Sequence, residues 1–249
     1  MAESIPFDRI AHRYEETRGG LERGRRFAAT IDANLASGSR VLEIGVGTAA
    51  VAAPLAEFGH RVTGLDLSLA MLELGVERLS GALMFADAQV LPIADASVDA
   101  VLAVWAVHVV GDQEAMLSEV ARVVTPGGLF LVVSPTPEVE SNDLMDIAFQ
   151  LGPALGRGFD RAVTYAPRLQ ALGWDHVGET ITDVYEFDES PTTRADNIER
   201  RDWSSLWDLD DETWQASVQP IVDALRALPE PDRPRHCLHR HMLSVYRRR

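Results

Sequence analysis

The chain has 249 residues and a formal net charge of −15, from 23 basic and 38 acidic side chains. Every basic residue is arginine, so the chain has neither a Schiff-base lysine nor the lysine of a phosphate-binding P-loop. The acidic balance disfavours nucleic acid as a partner, and the length suits a single α/β domain over residues 1–249.

The compartment is predicted from cysteine usage and apolar runs. Cys237 is the single cysteine and forms no internal disulfide, which is typical of a reducing environment. The first twenty residues lack the apolar centre of a signal peptide. The longest apolar run, Val98–Val110, contains Asp99 and is too short to span a bilayer. We therefore expect a cytoplasmic protein with no membrane partner.

The first half of the chain alternates between predicted helices and strands. Residues 1–36 are predicted to form a helical cap that breaks at the Gly19–Gly20 pair. Ser68 is a predicted N-cap, and the helix before the fifth strand is predicted to stop at the turn Thr125–Gly128. Five apolar runs read as strands: Arg40–Val46, His60–Leu65, Ala82–Ala86, Val98–Val104 and Leu129–Val133.

The second half of the chain is less regular. Residues 140–172 and 191–228 read as helical, the latter opening at Ser190, and residues 140–230 are predicted to supply lid and substrate segments. Two further strands are predicted at Thr180–Phe187 and Leu238–Tyr246. The cluster Trp203, Trp207 and Trp214 has two interpretations, either core packing or the apolar wall of a substrate pocket.

Strands that are apolar on both faces and alternate with helices indicate a parallel sheet covered on both sides. The predicted fold is α/β, with a doubly wound, mostly parallel, Rossmann-like sheet of seven strands and helical lid insertions. Right-handed crossovers place the carboxyl ends of the parallel strands at one edge. Ligands of such sheets bind at that edge, where the strand order reverses.

The segment Val41–Ala49 contains a strand-to-helix turn closed by Gly45 and Gly47, preceded by the carboxylate of Glu43. The glycines alone do not identify the ligand. Read together with Ala50 they also satisfy the dinucleotide fingerprint, with Asp66 at the expected distance for a ribose.

The residues around the glycines favour a ligand other than a dinucleotide. Four ordered motifs between Arg40 and Val133 resemble class I S-adenosylmethionine (SAM)-dependent methyltransferases, in particular the small-molecule branch that includes the ubiquinone/menaquinone C-methyltransferases. The motifs are the glycine turn Glu43–Gly47, the strand end Thr63–Asp66, the pair Asp87–Ala88 and the turn Arg122–Gly128.

The resemblance implies a role for each matching residue. Glu43, Gly45 and Gly47 match the loop that holds the methionine part of SAM, and Asp66, followed by Leu67, matches the carboxylate that accepts the ribose hydroxyls. The implied contacts to adenine and the pocket walls come from Met71, Asp87, Ala88, Val104, Trp105 and His108. Ala49 departs from the family's third glycine, and we expect it to keep a negative φ and cofactor binding.

Other roles follow from the chemistry of SAM. Tyr14 and Trp105 are candidates to face the sulfonium, and Arg18 is a candidate partner for the SAM carboxylate. Ordinary packing of Tyr14 and a solvated Arg18 are the alternatives. His108 follows the fourth strand, where it is a candidate general base for the acceptor or simply part of the pocket wall.

The sequence does not support three classes of function equally. A short-chain dehydrogenase needs a Tyr-x-x-x-Lys pair, which a chain without lysine lacks. A non-catalytic SAM-binding module remains open, because cofactor motifs report binding alone. The sequence favours an enzyme that methylates a small organic acceptor on O, N or C by in-line displacement, acting as a monomer or homodimer. No metal site is expected, since His236–His241 has no usual ligand spacing.

Overall fold

The computed structural model describes residues 7–136, 142–156 and 162–249. Residues 1–6 of the predicted cap, and parts of the helical prediction for 140–172, lie outside these described residues. Contacts divide the chain into two compact units. The first comprises Met1–Ser134, Asp160–Asp183 and His241–Arg249, and the second comprises Pro135–Phe159 and Val184–Arg240. The single domain over 1–249 stays a prediction.

Seven strands form one sheet in the order β3-β2-β1-β4-β5-β7-β6. Strands β1 to β5 pair in parallel, so the doubly wound α/β prediction is confirmed. Strand order reverses between β1 and β4. The strands are β1 Arg40–Ile44, β2 Arg61–Asp66, β3 Leu83–Phe85, β4 Val98–Val104, β5 Val124–Pro135, β6 Trp174–Glu189 and β7 Arg235–Arg248.

The helices occupy the segments between the strands. Gly19 separates the first two helices, as predicted, and Ser68 and Ser190 cap α4 and α9 by accepting from backbone N–H groups. The helices are α1 Phe7–Arg18, α2 Gly20–Asp32, α3 Ala52–Glu57, α4 Leu69–Gly75, α5 Gln113–Val123, α6 Asp143–Ala148, α7 Leu151–Ala154, α8 Ala162–Ala171, α9 Pro191–Glu199, α10 Asp211–Thr213 and α11 Gln219–Arg226.

Two boundaries differ from the sequence prediction. The segment Thr125–Gly128 is not a turn outside the sheet but the start of β5, where pairing with β4 is irregular between Val98 and Ala100. That irregularity absorbs the extra residues. Strand β6 is also longer than the predicted Thr180–Phe187, because its solvent-facing polar residues mask the strand pattern at both ends.

Alternate residues of the central strands enter two separate cores of the first unit. Leu42 and Val101 belong to one buried cluster with helix α5, whereas Val41 and Leu102 belong to another with helices α2 and α3. A strand turns successive side chains to opposite faces. Helices therefore cover both faces of the sheet, which leaves its edges as the places where a ligand can enter.

Helix α2 approaches the segment before α3 so closely that only glycine fits. A β-carbon at Gly24 would lie 1.9 Å from the carbonyl oxygen of Ala50. Because that oxygen belongs to the backbone, a change of side-chain rotamer cannot relieve the clash. This contact fixes α2 beside the loop that follows β1.

Replacing this glycine tests the close approach. We expect Gly24→Ala to lower the free energy of unfolding by about 1–3 kcal/mol through overpacking, measured by urea denaturation. Gly178→Ala is the matched control, because a β-carbon at Gly178 meets nothing within 4 Å. Equal stability of the two variants would contradict the described packing of α2.

Candidate functional site

Two cavities lie where the strand order reverses, at the carboxyl ends of β1 and β4. The first, the helix-side cavity, has a volume of about 500 Å³ and is lined by α1, α2 and the loop after β1. The second, the sheet-edge cavity, has about 780 Å³ and is lined by the segments after β1 to β4. The residues common to both are Tyr14, Gly45, Gly47, Val104 and Trp105.

The glycine loop after β1 needs its glycines for two reasons. Gly45 has φ +67°, and a β-carbon there would lie 2.7 Å from the β-carbon of Ala106 in the loop after β4. Gly47 has φ +54° and only open space where its β-carbon would be. A ligand can therefore approach the backbone at Gly47.

Ala49 contradicts one expectation. Its φ is +58°, so the predicted negative φ is wrong. An L-residue in this region costs about 1–2 kcal/mol relative to the right-handed conformation. Ala49 is fully buried in the core formed with α2 and α3, and the turn after Gly47 requires the left-handed conformation whether or not glycine is present.

The carboxyl group of Glu43 lies beneath the loop and is buried. One oxygen accepts from the backbone N–H of Ala52, at the start of α3, whereas Oε2 is buried with no hydrogen-bond partner. Burial, and secondarily the nearby Asp66 carboxylate, raises the pKa of Glu43 well above its ordinary value. A buried acceptor of this kind at a cavity wall suits a cationic donor.

Asp66 ends β2 and closes the loop from the other side. Its Oδ2 accepts from the N–H of Gly47 at 2.8 Å, and its Oδ1 accepts from the N–H of Ser68 at 2.8 Å. Burial raises the pKa of Asp66, and these backbone N–H groups oppose the rise. The backbone N–H of Leu67 also donates to this carboxylate, which offers about four lone-pair positions and so keeps capacity for a further donor.

The adenine-side residues of the prediction line the sheet-edge cavity together. Asp87 and Ala88 follow β3, and Leu67 and Met71 follow β2. Gln89, which the sequence interpretation did not single out, lines the same wall and donates from its side-chain amide to Asp87. An aspartate side chain that accepts from the backbone N–H two residues later forms a common turn, and Gln89 is at that position after Asp87.

Tyr14 and Trp105 line the place where the two cavities meet. Trp105 has φ +52°, which is uncommon for a bulky side chain and indicates a functional constraint. Its ring centroid lies 5.5 Å from that of Phe27 and 5.0 Å from that of His241. The predicted sulfonium contacts of Tyr14 and Trp105 stay predictions.

Arg23 is a site residue that the sequence interpretation missed. It lines the helix-side cavity, is only 6% exposed, and its guanidinium carbon lies 5.5 Å from the Trp105 ring centroid. The predicted cation Arg18 ends α1, and its side chain lies outside the described part of the structure. Arg23 lies four residues before Phe27, so both side chains are on the buried face of α2. The sequence shows this spacing, but an arginine in a helix is usually a surface residue, and Arg23 was therefore not singled out.

His108 lies in the short 3₁₀ turn Val107–Val109 after β4 and is exposed. It is next to Val109, which lines the sheet-edge cavity, but His108 is not among the described lining residues of either cavity. Its role as a general base stays a prediction.

A carboxylate at the centre of helix α1 binds the helix to the glycine loop after β1. Glu15 pairs with both terminal nitrogens of Arg78, and Thr48 Oγ1 donates to Glu15 Oε1 at 2.5 Å. Arg78 also donates to the carbonyl of Thr48 at 3.2 Å. At the start of the helix, Asp8 accepts from Ser68 Oγ. These contacts hold Tyr14 against both cavities.

The tryptophans of the second unit have packing roles in the structure. Trp203 and Trp214 pack against its buried core and lie under the guanidinium groups of Arg194 and Arg201. Trp207 donates from its ring nitrogen to the carbonyl of Arg201 at 2.7 Å. The core-packing interpretation therefore accounts for Trp203 and Trp214, whereas the contact described for Trp207 is a hydrogen bond.

Two negative observations apply to the described residues. Within 7–136, 142–156 and 162–249, no group of three or more His, Cys, Asp or Glu side chains is arranged to hold a metal ion. In the same ranges, no helix has the length and apolar character needed to cross a membrane.

The chain is similar in sequence to known methyltransferases. A family model described as a methyltransferase domain matches residues 42–132. The demethylmenaquinone methyltransferase of Clavibacter sepedonicus is 32% identical over 72% of this chain and 74% of its own length. The demethylmenaquinone methyltransferase of Renibacterium salmoninarum is 37% identical over 51% of this chain. The chain spans only about half (55%) of the length of this second relative.

Solved structures show the same fold. The YcgJ protein of Bacillus subtilis has a TM-score of 0.58 at 19% identity, over 90% of this chain and 98% of its own. The cyclase SpnF has a TM-score of 0.51 at 17% identity, over 97% of this chain and 81% of its own. Because a cyclase shares the fold, the fold alone does not define the reaction.

The order and parallel pairing of the central strands define a Rossmann-like α/β fold, which the solved structures share. With the matched family model and the Clavibacter relative, the chain belongs to the class I SAM-dependent methyltransferase family.

The pairing of Glu15 with Arg78 makes a pH-dependent contribution to stability. The Arg78 hydrogen bond lowers the pKa of Glu15, so this stabilisation is present above the ordinary glutamate pKa and is lost as pH falls through the lowered value. We expect Glu15→Gln to melt below wild type at pH 7, with the difference shrinking towards pH 3 in thermal melts.

Glu57→Gln is the matched control, because Glu57 also pairs with an arginine, Arg25, but on an exposed surface. Its melting temperature should follow wild type closely at every pH. A difference for Glu15→Gln that stays constant with pH would contradict the assigned ion pair.

Proposed function

We propose that the two cavities together bind SAM and that the protein transfers its methyl group to a small organic acceptor. The observation that carries this proposal is the distribution of charge. Of the described lining residues, four are acidic and one is basic: Glu15, Glu43, Asp66, Asp87 and Arg23. SAM carries a sulfonium and an ammonium against one carboxylate, and such a surface favours a net cation.

The backbone N–H groups at the loop argue against a dinucleotide. A pyrophosphate binds to free N–H groups at a helix N-terminus. Here the N–H of Gly47 donates to Asp66 and that of Ala52 donates to Glu43. A pyrophosphate would have to displace these carboxylates from the N–H groups and would be repelled by their negative charge. An NAD-type oxidoreductase is therefore disfavoured on physical grounds.

The helix-side cavity provides two opposite charges for an amino acid group. Glu43 Oε2 lacks a partner and suits an ammonium, and Arg23, on the facing helix α2, suits a carboxylate. We propose Arg23 as a carboxylate ligand, and the same role for Arg18, whose side chain lies outside the described residues, stays a prediction. The two groups would orient the methionine part, while Asp66 and Asp87 would orient the ribose and the adenine in the sheet-edge cavity.

The sulfonium of bound SAM supplies an electrophilic methyl group. The protein's own contribution is to position it where Tyr14 and Trp105 line both cavities. Helix α1, fastened through Glu15, would exclude water from this junction. In-line displacement then requires an acceptor held on the opposite side of the methyl group, with His108 available as a base if the acceptor carries a proton.

The acceptor is proposed to be a small molecule. Two relatives carry the name demethylmenaquinone methyltransferase, which makes a quinol-type ring the first candidate. The matched methyltransferase model ends at residue 132, before the second unit begins at Pro135. We propose that the second unit contributes to acceptor choice.

A labelled-methyl assay tests this function. Incubation of the protein with methyl-labelled SAM and a panel of phenols, quinols, carboxylates and amines should yield S-adenosylhomocysteine together with one labelled product, whose mass spectrum shows whether O, N or C is methylated. Asp66→Asn is the control for contaminating enzymes, and it should abolish the signal. Binding of SAM without turnover on any acceptor would favour the non-catalytic SAM-binding alternative.

Glu43 gives a prediction in which stability and binding move in opposite directions. Because burial raises its pKa, ionisation of Glu43 opposes folding as pH rises from the ordinary glutamate value to the raised one. Glu43→Gln should therefore melt several degrees above wild type at pH 8 and equal to it near pH 4. The same variant should bind SAM about 10- to 100-fold more weakly, because it lacks the charge that faces the ammonium.

Calorimetry and thermal melts measure the two effects separately. Glu57→Gln serves again as the exposed control and should change neither. A Glu43→Gln variant that bound SAM as tightly as wild type would remove Glu43 from the proposed ligand set.

A further inference from the structure

Gln89 is held on three sides at the wall of the sheet-edge cavity. Its backbone N–H donates to Asp87 Oδ1 at 2.8 Å. Its side-chain Nε2 donates to Asp87 Oδ1 at 3.0 Å and to Oδ2 at 3.1 Å. Its Oε1 accepts from the backbone N–H of Asp112 at 3.0 Å.

These bonds fix which way the Gln89 amide faces. Asp112 is the N-cap of α5, where its side chain accepts from Ala115, so its own N–H is fixed in direction. A reversed amide would place an NH₂ group against that N–H and an oxygen against the Asp87 carboxylate. Both contacts would be repulsive, so Gln89 must present donors to Asp87.

The Asp87 carboxylate then has few acceptor positions left. An ionised carboxylate offers about four lone-pair positions. Gln89 uses two on Oδ1 and one on Oδ2, which leaves one on Oδ2. Asp87 itself lines the cavity, as do Gln89 and Gly111 beside Asp112.

We propose that Gln89 is a positioning residue that sets the selectivity of the site for a 6-aminopurine over a 6-oxopurine. The inference rests on the proposed function, in which Asp87 receives the adenine amine. By fixing the carboxylate, Gln89 leaves one acceptor for an amino group and prevents Asp87 from turning away from an oxo group. A fixed acceptor rejects a ligand that brings another acceptor, whereas a carboxylate free to rotate does so less strongly.

The test compares S-adenosylhomocysteine with S-inosylhomocysteine, which has an oxo group in place of the amine. For wild type we expect a preference for the adenosyl compound of about 100-fold or more, measured by calorimetry at pH 8. Gln89→Leu should reduce this preference to about tenfold, since the loss of fixed geometry weakens the adenosyl compound and relieves the inosyl compound. Gln89→Met, which removes the donors but keeps the side-chain length, should reduce it in the same way.

Gln113→Leu is the matched control. Gln113 is the first residue of α5 and donates to the carbonyl of Val107 at 3.2 Å, but it lines neither cavity among the described residues. Its ligand preference should equal that of wild type. Thermal melts of all the variants without ligand establish that they are folded.

The outcomes separate this inference from the proposed function. Failure of wild type to bind S-adenosylhomocysteine would end the SAM-binding proposal itself. Binding by wild type, with an unchanged preference in both Gln89 variants or an equal weakening of both ligands, would overturn the positioning role and leave the proposed function standing.

Discussion

The structure of the site depends on two buried carboxylates that hold the loop after β1 by its own backbone. Asp66 accepts from the N–H of Gly47, and Glu43 accepts from that of Ala52. Burial raises the pKa of both groups, so the ionised form of each carboxyl group is destabilised in the free protein. A cationic ligand would relieve that cost, which links the fold of the loop to the charge of the ligand that it accepts.

The surrounding elements keep this loop in place. Gly24 allows α2 to approach the backbone at Ala50, and Glu15 joins α1 to Thr48 and Arg78. The left-handed conformations of Ala49 and Trp105 are the local strain of the site. Ala49 is fully buried, and Trp105 packs against Phe27 and His241, and surroundings of this kind are what keep strained residues in place.

The positions of many residues that line the sheet-edge cavity could be predicted from sequence, because strands and helices alternate regularly along the first half of the chain. Each parallel strand ends at the same sheet edge, so Gly45, Asp66 and Asp87 meet there although they are distant in sequence. Arg23 and the Glu15–Arg78 pair could not be predicted, because they depend on how α1 and α2 face the loop. Glu15 and Arg78 lie 63 residues apart, and periodicity does not report such pairing. The predicted negative φ of Ala49 is wrong because the path of the turn, and not the identity of the residue, sets the backbone conformation there.

The central claim is that this loop selects a sulfonium nucleoside over an anionic dinucleotide. Titration calorimetry with S-adenosylhomocysteine, SAM and NAD under identical conditions tests it directly. We expect 1:1 binding of both SAM and S-adenosylhomocysteine, with no measurable heat from NAD at millimolar concentration. Binding of NAD, or no binding of either sulfur nucleoside, would contradict it.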